Sequence, residues 1–331
     1  MNRKCNNIFS LFFLCIILFS CGDGEKQVKP QEKKHIDIPE FNPDTAYVMV
    51  EKQLDFGARV SNTSANKKCA VFLSNKLKTF IPTTQIQYGK MKAFNGTLLD
   101  VQNIIASYNP NNLNRVMLCS HWDSRPFADW DPEEKNHTKP VPGANDGASG
   151  VGILIEIARQ LSINKPDIGV DIILFDTEDY GAPKTYKKDS QVEDDWGLGA
   201  QYWATNPHKK DYRAKFGILL DMVGAKGAEF YMEKYSMNFA PDVVRKVWNT
   251  AGDIGYSNFF ISQESSAITD DHYYVNTLRN LPTIDIIHHD SNSKTGFFPF
   301  WHTTKDDITH IDKETLKAVG QTLLTVVYNE M

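Results

Sequence analysis

The sequence predicts a single α/β domain with a mostly parallel, twisted central sheet and helices on both faces. Short apolar runs of the buried-strand type alternate along the chain with longer segments of helical apolar spacing. Polar residues and glycines follow several of these runs directly. The 331-residue chain is 41% hydrophobic and 23% charged, which is ordinary for a globular protein.

The elements follow in chain order. Helical apolar spacing predicts helices over residues 43–57, 64–80, 147–161, 240–252 and 313–330. In the third helix one stripe is apolar: Val151, Leu154, Ile155, Ala158 and Leu161. An Asn-Gly turn signal inside residues 83–109 predicts a pair of strands. Compact apolar runs predict further strands over residues 115–121, 169–176, 216–224 and 282–287.

The N-terminal segment is predicted to direct export. Residues 1–4 are positively charged and an apolar run follows to residue 20, too short and too early for a confident spanning helix. "LFSC" at 18–21 resembles a bacterial lipobox, in which Cys21 is acylated. A plain secretory signal or an anchor helix is the alternative. We expect a signal peptide over 1–20, a flexible tether over 21–40 and a single folded α/β domain over 41–331.

This organisation predicts a lipid-anchored protein of the bacterial cell envelope, facing the periplasm or the cell surface. The net charge is −5 and no basic patch follows the phosphates of a nucleic acid, so a nucleic-acid partner is not expected. Of five cysteines, Cys69 and Cys119 lie in the mature domain beyond the anchor. They either form a disulfide in the oxidising envelope or stay buried and free.

Acidic and histidine side chains follow the predicted strands. "LFDTEDYG" places three carboxylates directly after a buried run, which is costly unless a cation compensates them. Strand ends meet at one edge of such a sheet, so the following residues are expected to converge: His121, Asp123, Asp146, Glu178, Asp179, Asp221, Asp270, Asp271 and His302. Asp, Glu and His without Cys suit a zinc site with an open position.

Each of these residues has an ordinary structural alternative. Asp146 beside a glycine fits a turn or helix cap, and Asp221 fits a lone acid at a strand end. His302 alone fits a core histidine. Arg125 and Phe127 either line the entrance of the site or, for the arginine, lie on the surface. The prediction of a site therefore rests on the ordered set of residues.

That ordered set resembles the zinc exopeptidase-like α/β family, which contains aminopeptidases and glutaminyl-peptide cyclotransferases. The similar motifs are "SHWDS", "PGANDGASGVGILIEIAR", "LFDTEDYG", "LLDMVGA" and "WHTTKDD", and the similarity covers most of residues 45–331. Two ligand sets follow from the resemblance. The two-zinc aminopeptidases imply five ligands: His121, Asp146, Asp179, Asp221 and His302. In that pattern, the positions of His121 and Asp221 in this chain would hold the second metal.

The cyclases imply one zinc held by Asp146, Asp179 and His302. In that pattern Glu178 shuttles the proton, and Asp221 and Asp270 are supporting acids. Two features favour the cyclases. Trp301 precedes the ligand histidine and is expected to wall the substrate pocket, with Trp196 and Phe297. The stretch from "TEDYG" to "DDWGLGAQYWA" also resembles the long insertion of bacterial cyclases. Departures from the animal enzymes are Asp179, where they have Glu, and Asp285, where they have His.

The resemblance implies a zinc-dependent enzyme that converts the N-terminal glutamine of peptides or proteins to pyroglutamate and releases ammonia. The substrate's own α-amine is the nucleophile, so the lack of a Ser/His/Asp or Cys/His signature is expected. Crowding with Asp221 and Asp270 is expected to raise the pKa of Glu178. The alternative is a two-zinc aminopeptidase. A non-catalytic binding module of the same fold is a third possibility, which the intact set of acids disfavours.

Overall fold

The computed structural model describes residues 37–186 and 195–331. The predicted signal peptide, Cys21 and most of the predicted tether lie outside the described residues, as does part of the predicted insertion before Trp196. Within the two described ranges, no helix has both the length and the apolar content needed to cross a bilayer.

The described residues form eight helices, eight strands and two short 3₁₀ turns. The helices are α1 (Pro43–Leu54), α2 (Ser64–Lys78), α3 (Ala148–Asn164), α4 (Leu198–Thr205), α5 (Lys234–Phe239), α6 (Pro241–Asp253), α7 (Asp271–Arg279) and α8 (Lys313–Asn329). The strands are β1 (Gln85–Lys92), β2 (Leu98–Tyr108), β3 (Arg115–His121), β4 (Gly169–Phe175), β5 (Gly217–Asp221), β6 (Phe230–Met232), β7 (Phe260–Glu264) and β8 (Thr283–Ile287).

The main sheet has six strands in the order β1-β2-β4-β3-β5-β8. Strands β4, β3, β5 and β8 are parallel to their neighbours, whereas β2 pairs antiparallel with both β1 and β4. The predicted α/β fold is therefore confirmed, with one refinement: the sheet is mixed, because a hairpin forms one edge. β6 and β7 form a separate parallel pair.

Successive side chains of a strand point to opposite faces of the sheet, and both faces are apolar here. Helices therefore cover both faces. Leu118 packs into the larger core with α1, α3 and α8, whereas Met117 and Cys119 on the opposite face pack with α4 and α7. The connection from β3 to β4 carries α3 on one face and the connection from β4 to β5 carries α4 on the other. β3 is therefore the point where the winding reverses, and in such sheets the ligand crevice lies beyond the carboxyl ends of the strands at that point.

All five predicted helices and all predicted strands are present, with bounds shifted by a few residues. The prediction of one apolar stripe on α3 is incomplete, because most of that helix is buried on all sides. A Cβ at Gly152 would lie 2.6 Å from the carbonyl oxygen of Ala46, so this glycine lets α1 pack closely. Cys69 and Cys119 are both buried and free, which answers the open question of their pairing.

Three helices and the β6–β7 pair were not predicted. α7 is rich in polar residues and begins at Asp270, whose side chain accepts from the N–H of Asp271. α5 has six residues, too few to show helical periodicity in the sequence. Sequence patterns of this length and composition do not distinguish a short helix from a loop.

His208 is a buried base outside the carboxyl edge of the sheet and should make stability depend on pH. Its side chain is 3% exposed and accepts from Trp203 Nε1 at 3.2 Å. Burial, the dominant cause, lowers its pKa from 6.5 to about 4. The folded state therefore favours the neutral ring. The stability from this group is complete above pH 6.5 and is lost as pH falls towards 4.

When the pH falls from 7 to 5, the free energy of unfolding should decrease in both proteins. The decrease should be about 2 kcal/mol smaller in His208→Gln than in wild type, because Gln does not titrate. Urea unfolding of both proteins at the two pH values measures the difference. An equal acid loss in the two proteins would show that His208 is not the responsible group.

Candidate active site

Asp146, Asp179 and His302 form a group of ligand atoms at the carboxyl edge of the sheet. Their ligand atoms all lie within 4.8 Å of one another, and all three side chains are buried. His302 Nε2 is 3.2 Å from Asp179 Oδ1 and 3.7 Å from Asp146 Oδ2. Asp179 Oδ2 has no hydrogen-bond partner among the described residues. A set of acceptors that face one another in this way fits a divalent cation.

The protonation state of His302 agrees with a ligand role. Burial lowers its pKa well below the usual value, and the nearby cations Arg125 and His121 lower it further. A neutral imidazole offers the lone pair that a metal needs. Burial also raises the pKa of Asp179, with a further rise from Asp146, although the nearby Arg125 and His121 oppose the rise.

The loop before α3 holds Asp146 in place. The N–H groups of Asn145 and Asp146 donate to the two carboxylate oxygens of Asp306, at 2.8 and 3.0 Å. Gly147 has a φ of +94°, and a Cβ there would lie 2.6 Å from the carbonyl oxygen of Asp123. Only glycine suits this conformation and this close approach, which explains the Asn-Asp-Gly sequence.

A second group of potential ligands consists of His121, Asp146 and Asp221, again within 4.8 Å of one another. His121 Nε2 lies 3.0 Å from Asp146 Oδ1 and 3.1 Å from Asp221 Oδ1. Burial alone would lower the pKa of His121, but hydrogen bonds with Asp123, Asp146 and Asp221 raise it well above the usual value. His121 thus lies between the two aspartates, at the position where the two-metal pattern has its second ion.

The structure contains a third group of potential ligands, which the sequence analysis did not identify as a group. Asp270, His272 and Asp285 are buried and close together. His272 Nε2 lies 3.1 Å from Glu233 Oε2, and its Nδ1 lies 3.7 Å from Asp285 Oδ2. Glu233 and His272 carried no recognisable signal, because they occupy a strand end and a polar helix that the sequence pattern does not connect.

Glu178 lies beside the first two groups at the mouth of the site. Its carboxylate Oε2 is 3.9 Å from His121 Nδ1. Burial is the largest cause of its raised pKa, with smaller contributions from Asp179, Asp270 and Asp271 and an opposing one from His121. The predicted rise is therefore present, but burial rather than crowding with Asp221 dominates it. A carboxyl with a raised pKa can both accept and return a proton near neutral pH.

The three carboxylates of "LFDTEDYG" point to different surroundings. Asp176 turns inward and accepts from the N–H of Gln102 and from Asn66 Nδ2, at 2.9 and 3.0 Å. Thr177 has a φ of +58°, so the chain turns sharply after β4. The N–H groups of Glu178 and Asp179 then donate to the Asp123 carboxylate. This turn separates the buried Asp176 from the two acids of the site.

An open cavity of about 500 Å³ connects these groups to solvent. Its lining includes nine of the ten predicted ligand, acid and substrate-binding residues: Asp146, Glu178, Asp179, Trp196, Asp221, Asp270, Phe297, Trp301 and His302. The tenth, His121, lies against Asp146 and Asp221. The roles assigned to these residues stay predictions.

Aromatic rings form one wall of the cavity. The Trp301 ring stacks on His302 with centroids 3.6 Å apart and packs against Phe297 at 4.7 Å. Trp196 stacks on the same histidine at 6.1 Å with an interplanar angle of 10°. His302 has a φ of +54°, a backbone conformation that is uncommon for residues other than glycine, and both indoles stack on its ring.

Two expectations about the entrance are wrong. The side chain of Arg125 is 1% exposed and lies inside the protein, where it pairs with Asp129. Phe127 packs against Phe94 and Tyr180 in a small aromatic cluster instead of lining the described cavity. An arginine four residues after the end of a strand gives no sequence signal of burial, because its partner Asp129 is itself part of a charged loop.

Comparison with known proteins agrees with this architecture. The model of peptidase family M28 matches residues 103–327. The crystal structure of a Zn-dependent exopeptidase from Parabacteroides distasonis ATCC 8503 is 50% identical, with a TM-score of 0.87, over 88% of this chain and 100% of that chain. The crystal structure of Bacteroides thetaiotaomicron glutaminyl cyclase bound to N-acetylhistamine is also 50% identical, with a TM-score of 0.87, over 89% of this chain and 100% of that chain.

A curated relative gives a partial match. Aminopeptidase YwaD of Bacillus subtilis (strain 168) is 28% identical over 247 residues, which cover 72% of this chain. This match spans 46% of the length of YwaD, about half of that protein. The family match, the α/β fold and the buried Asp and His groups agree with one another. The chain belongs to peptidase family M28.

Proposed function

We propose that this chain is a zinc-dependent glutaminyl-peptide cyclotransferase, which converts N-terminal glutamine of peptides or proteins to pyroglutamate. The observation that carries the proposal is the aromatic wall, in which the Trp301 ring stacks on His302 at 3.6 Å beside Glu178 and the Asp146–Asp179 carboxylates. The 50% identity to a bacterial glutaminyl cyclase supports it. An apolar wall against the reacting groups suits a reaction in which water must not compete.

Zinc fits the residues present. Asp146, Asp179 and His302 supply two carboxylates and one neutral imidazole, and zinc accepts this nitrogen and oxygen donor set. When bound there, the ion supplies a Lewis acid that polarises the side-chain amide carbonyl of the substrate glutamine. Hydrogen bonds with Asp146 and Asp221 raise the pKa of His121, and a protonated His121 would take the place of a second ion there.

The residues of this chain perform the proton transfers. Glu178 accepts a proton from the substrate α-amine as that nitrogen forms its bond to the side-chain amide carbon. It returns the proton to the departing amide nitrogen as the carbon–nitrogen bond breaks and ammonia leaves. Asp221 and Asp270 act as supporting acids around this step. Burial raises the pKa of Asp221 to about 7, although the hydrogen bond with His121 opposes the rise.

The aromatic side chains control the competing reaction. Attack by water on the same carbonyl would give glutamate instead of the five-membered ring. Trp301, Phe297 and Trp196 line the cavity on the His302 side and form the apolar surface against which the folded glutamine chain packs. Excluding water and holding the amine close to the carbonyl both favour ring closure.

A two-zinc aminopeptidase is the second candidate function, and the geometry of His121, Asp146 and Asp221 favours it. These side chains are close enough to hold a second ion if His121 loses its proton. In that reaction Glu178 would act as the base for an attacking water. The relation to aminopeptidase YwaD supports this candidate at the level of the family.

We also propose that the chain is exported, acylated at Cys21 and held at the bacterial envelope, where it acts on peptides near the membrane. The lipobox-like "LFSC" and the polar stretch from residue 22 to residue 40 support this proposal.

Metal content and reaction type distinguish the two candidate functions. The purified chain should contain one zinc per chain, release ammonia from peptides with N-terminal glutamine and leave aminoacyl anilides intact. Elemental analysis gives the zinc content, and a coupled ammonia assay and aniline absorbance measure the two activities. Aniline release with two zincs per chain would instead establish the aminopeptidase.

The second prediction concerns Glu178. Glu178→Gln should lower kcat by about 10²–10⁴-fold because the side chain no longer moves a proton. Its zinc content should stay at the wild-type value, since Glu178 is not in the ligand set. Asp179→Asn should lose both zinc and activity, and Glu264→Gln on the exposed end of β7 serves as the control. Loss of zinc from Glu178→Gln would exchange the roles assigned to Glu178 and Asp179.

The third prediction concerns the anchor. Cys21→Ser should abolish incorporation of a labelled fatty acid and should release the protein from the membrane fraction of cells. Cys69→Ser, which changes a buried thiol of the folded domain, is the matched control and should keep both properties. Unchanged labelling in Cys21→Ser would contradict the proposed anchor.

A further inference from the structure

Arg125 and Asp129 form a buried ion pair beside the proposed metal ligands. Arg125 Nε donates to Asp129 Oδ1 at 2.8 Å, and Arg125 Nη2 donates to Asp129 Oδ2 at 3.0 Å. Their side chains are 1% and 4% exposed. Two parallel bonds of this kind fix both groups in one plane and one direction. The pair is therefore a rigid unit and not a flexible surface contact.

Arg125 also holds the loop that carries Asp179. Its Nη1 donates to the carbonyl oxygen of Asp179 at 3.1 Å and lies 3.5 Å from the carboxylate Oδ1 of the same residue. Further donations reach the carbonyl oxygens of Gly181 and Ala182, both at 3.4 Å. One guanidinium thus restrains the backbone on both sides of Tyr180 and approaches the ligand oxygen itself.

The same guanidinium supports the aromatic wall. Its central carbon lies 4.8 Å from the centroid of the Trp196 ring, a distance at which a cation is attracted to the face of an indole. Trp196 in turn stacks on His302. Arg125 therefore restrains Asp179 through the backbone of its loop, and it supports His302 through the Trp196 ring.

Asp129 completes the arrangement on the far side of His302. Its Oδ1 lies 3.7 Å from His302 Nδ1, the ring nitrogen opposite the one that faces Asp146 and Asp179. Its Oδ2 also accepts from the N–H of Lys184 at 2.8 Å. Metal-bound histidines commonly direct their second ring nitrogen towards a carboxylate, which fixes the tautomer and orientation of the ring.

We propose that Arg125 and Asp129 are positioning residues that align His302, Asp179 and Trp196, so that the affinity for the metal and the fit of the substrate depend on this ion pair. The inference rests on the metal site of the proposed function but not on the reaction that the site catalyses. Lysine cannot replace this arginine, because one ammonium cannot make the paired bonds to Asp129 and reach the carbonyl oxygens on the other side.

A second buried ion pair provides a matched control. Arg115 Nη1 lies 2.9 Å from Asp171 Oδ2, with side chains 4% and 0% exposed. Arg115 begins β3, whereas Arg125 lies beyond its carboxyl end. The two pairs are therefore similar in chemistry and burial but lie at opposite ends of the sheet. If burial of an ion pair matters only for folding, both pairs should respond to substitution in the same way.

The experiment compares Arg125→Lys and Asp129→Asn with Arg115→Lys in the full chain. Competition with a chromogenic chelator measures the zinc Kd, thermal unfolding of the metal-free protein measures stability, and steady-state kinetics give kcat and KM. We expect both Arg125→Lys and Asp129→Asn to weaken zinc binding by about 10–100-fold. Arg125→Lys should also raise KM, because Trp196 loses its support. Arg115→Lys should lower Tm and leave the zinc Kd unchanged.

The outcomes separate positioning from a general structural role. Zinc Kd values within twofold of wild type in both site variants, with Tm lowered as in Arg115→Lys, would overturn the inference. Asp129→Asn keeps the size and shape of the side chain, so it retains the test if Arg125→Lys does not fold. Because zinc affinity is measured without substrate, a weakened Kd would support the inference even if the enzyme proved to be an aminopeptidase.

Discussion

The structure depends on compensation of negative charge that is buried at the carboxyl edge of the sheet. Several buried carboxylates lie in or near the site, among them Asp146, Glu178, Asp179, Asp221, Asp270, Asp271 and Asp285. Burial raises the pKa of Glu178, Asp179, Asp221, Asp270, Asp271 and Asp285. Groups in this situation need a cation, a proton or a hydrogen-bond donor. Each feature of the site can be understood as one of these three solutions.

His121, Arg125 and the proposed metal are the cationic part of this compensation. His121 lies between Asp146 and Asp221, and Arg125 lies against Asp129 and Asp179. Backbone N–H groups supply further donors, as at Asp123 and Asp306. The remaining face between Asp146, Asp179 and His302 presents acceptors only, which is why a divalent ion is the natural partner there.

The same scaffold can support two reactions, and small differences decide between them. A protonated His121 removes the need for a second ion, whereas a neutral one would allow it. The rings of Trp301 and Trp196, both stacked on His302, add an apolar surface beside the reacting groups. In the proposed function, the compensation of charge and the exclusion of water therefore favour ring closure.

Much of the fold and the membership of the site follow from local patterns in the sequence. The alternation of apolar strands and helices predicts the α/β architecture, and the rule that sites follow strand ends brings Asp146, Glu178, Asp179, Asp221 and Asp270 to one cavity. The residues that carry these signals lie directly beside regular elements, where periodicity is strong. The β6–β7 pair, α5 and α7 were less predictable, since short or polar elements leave weak patterns.

The sequence by itself determined the α/β class, most of the helices and strands and the residue types at the strand ends, because hydrophobic periodicity and glycine positions are encoded locally. Only the tertiary structure decided which charged groups face one another. The burial of Arg125, its pairing with Asp129, the position of His272 beside Glu233 and the outward or inward direction of Asp176, Glu178 and Asp179 depend on loops packing from distant parts of the chain. Charge interactions act through space, and no spacing along the chain reports them.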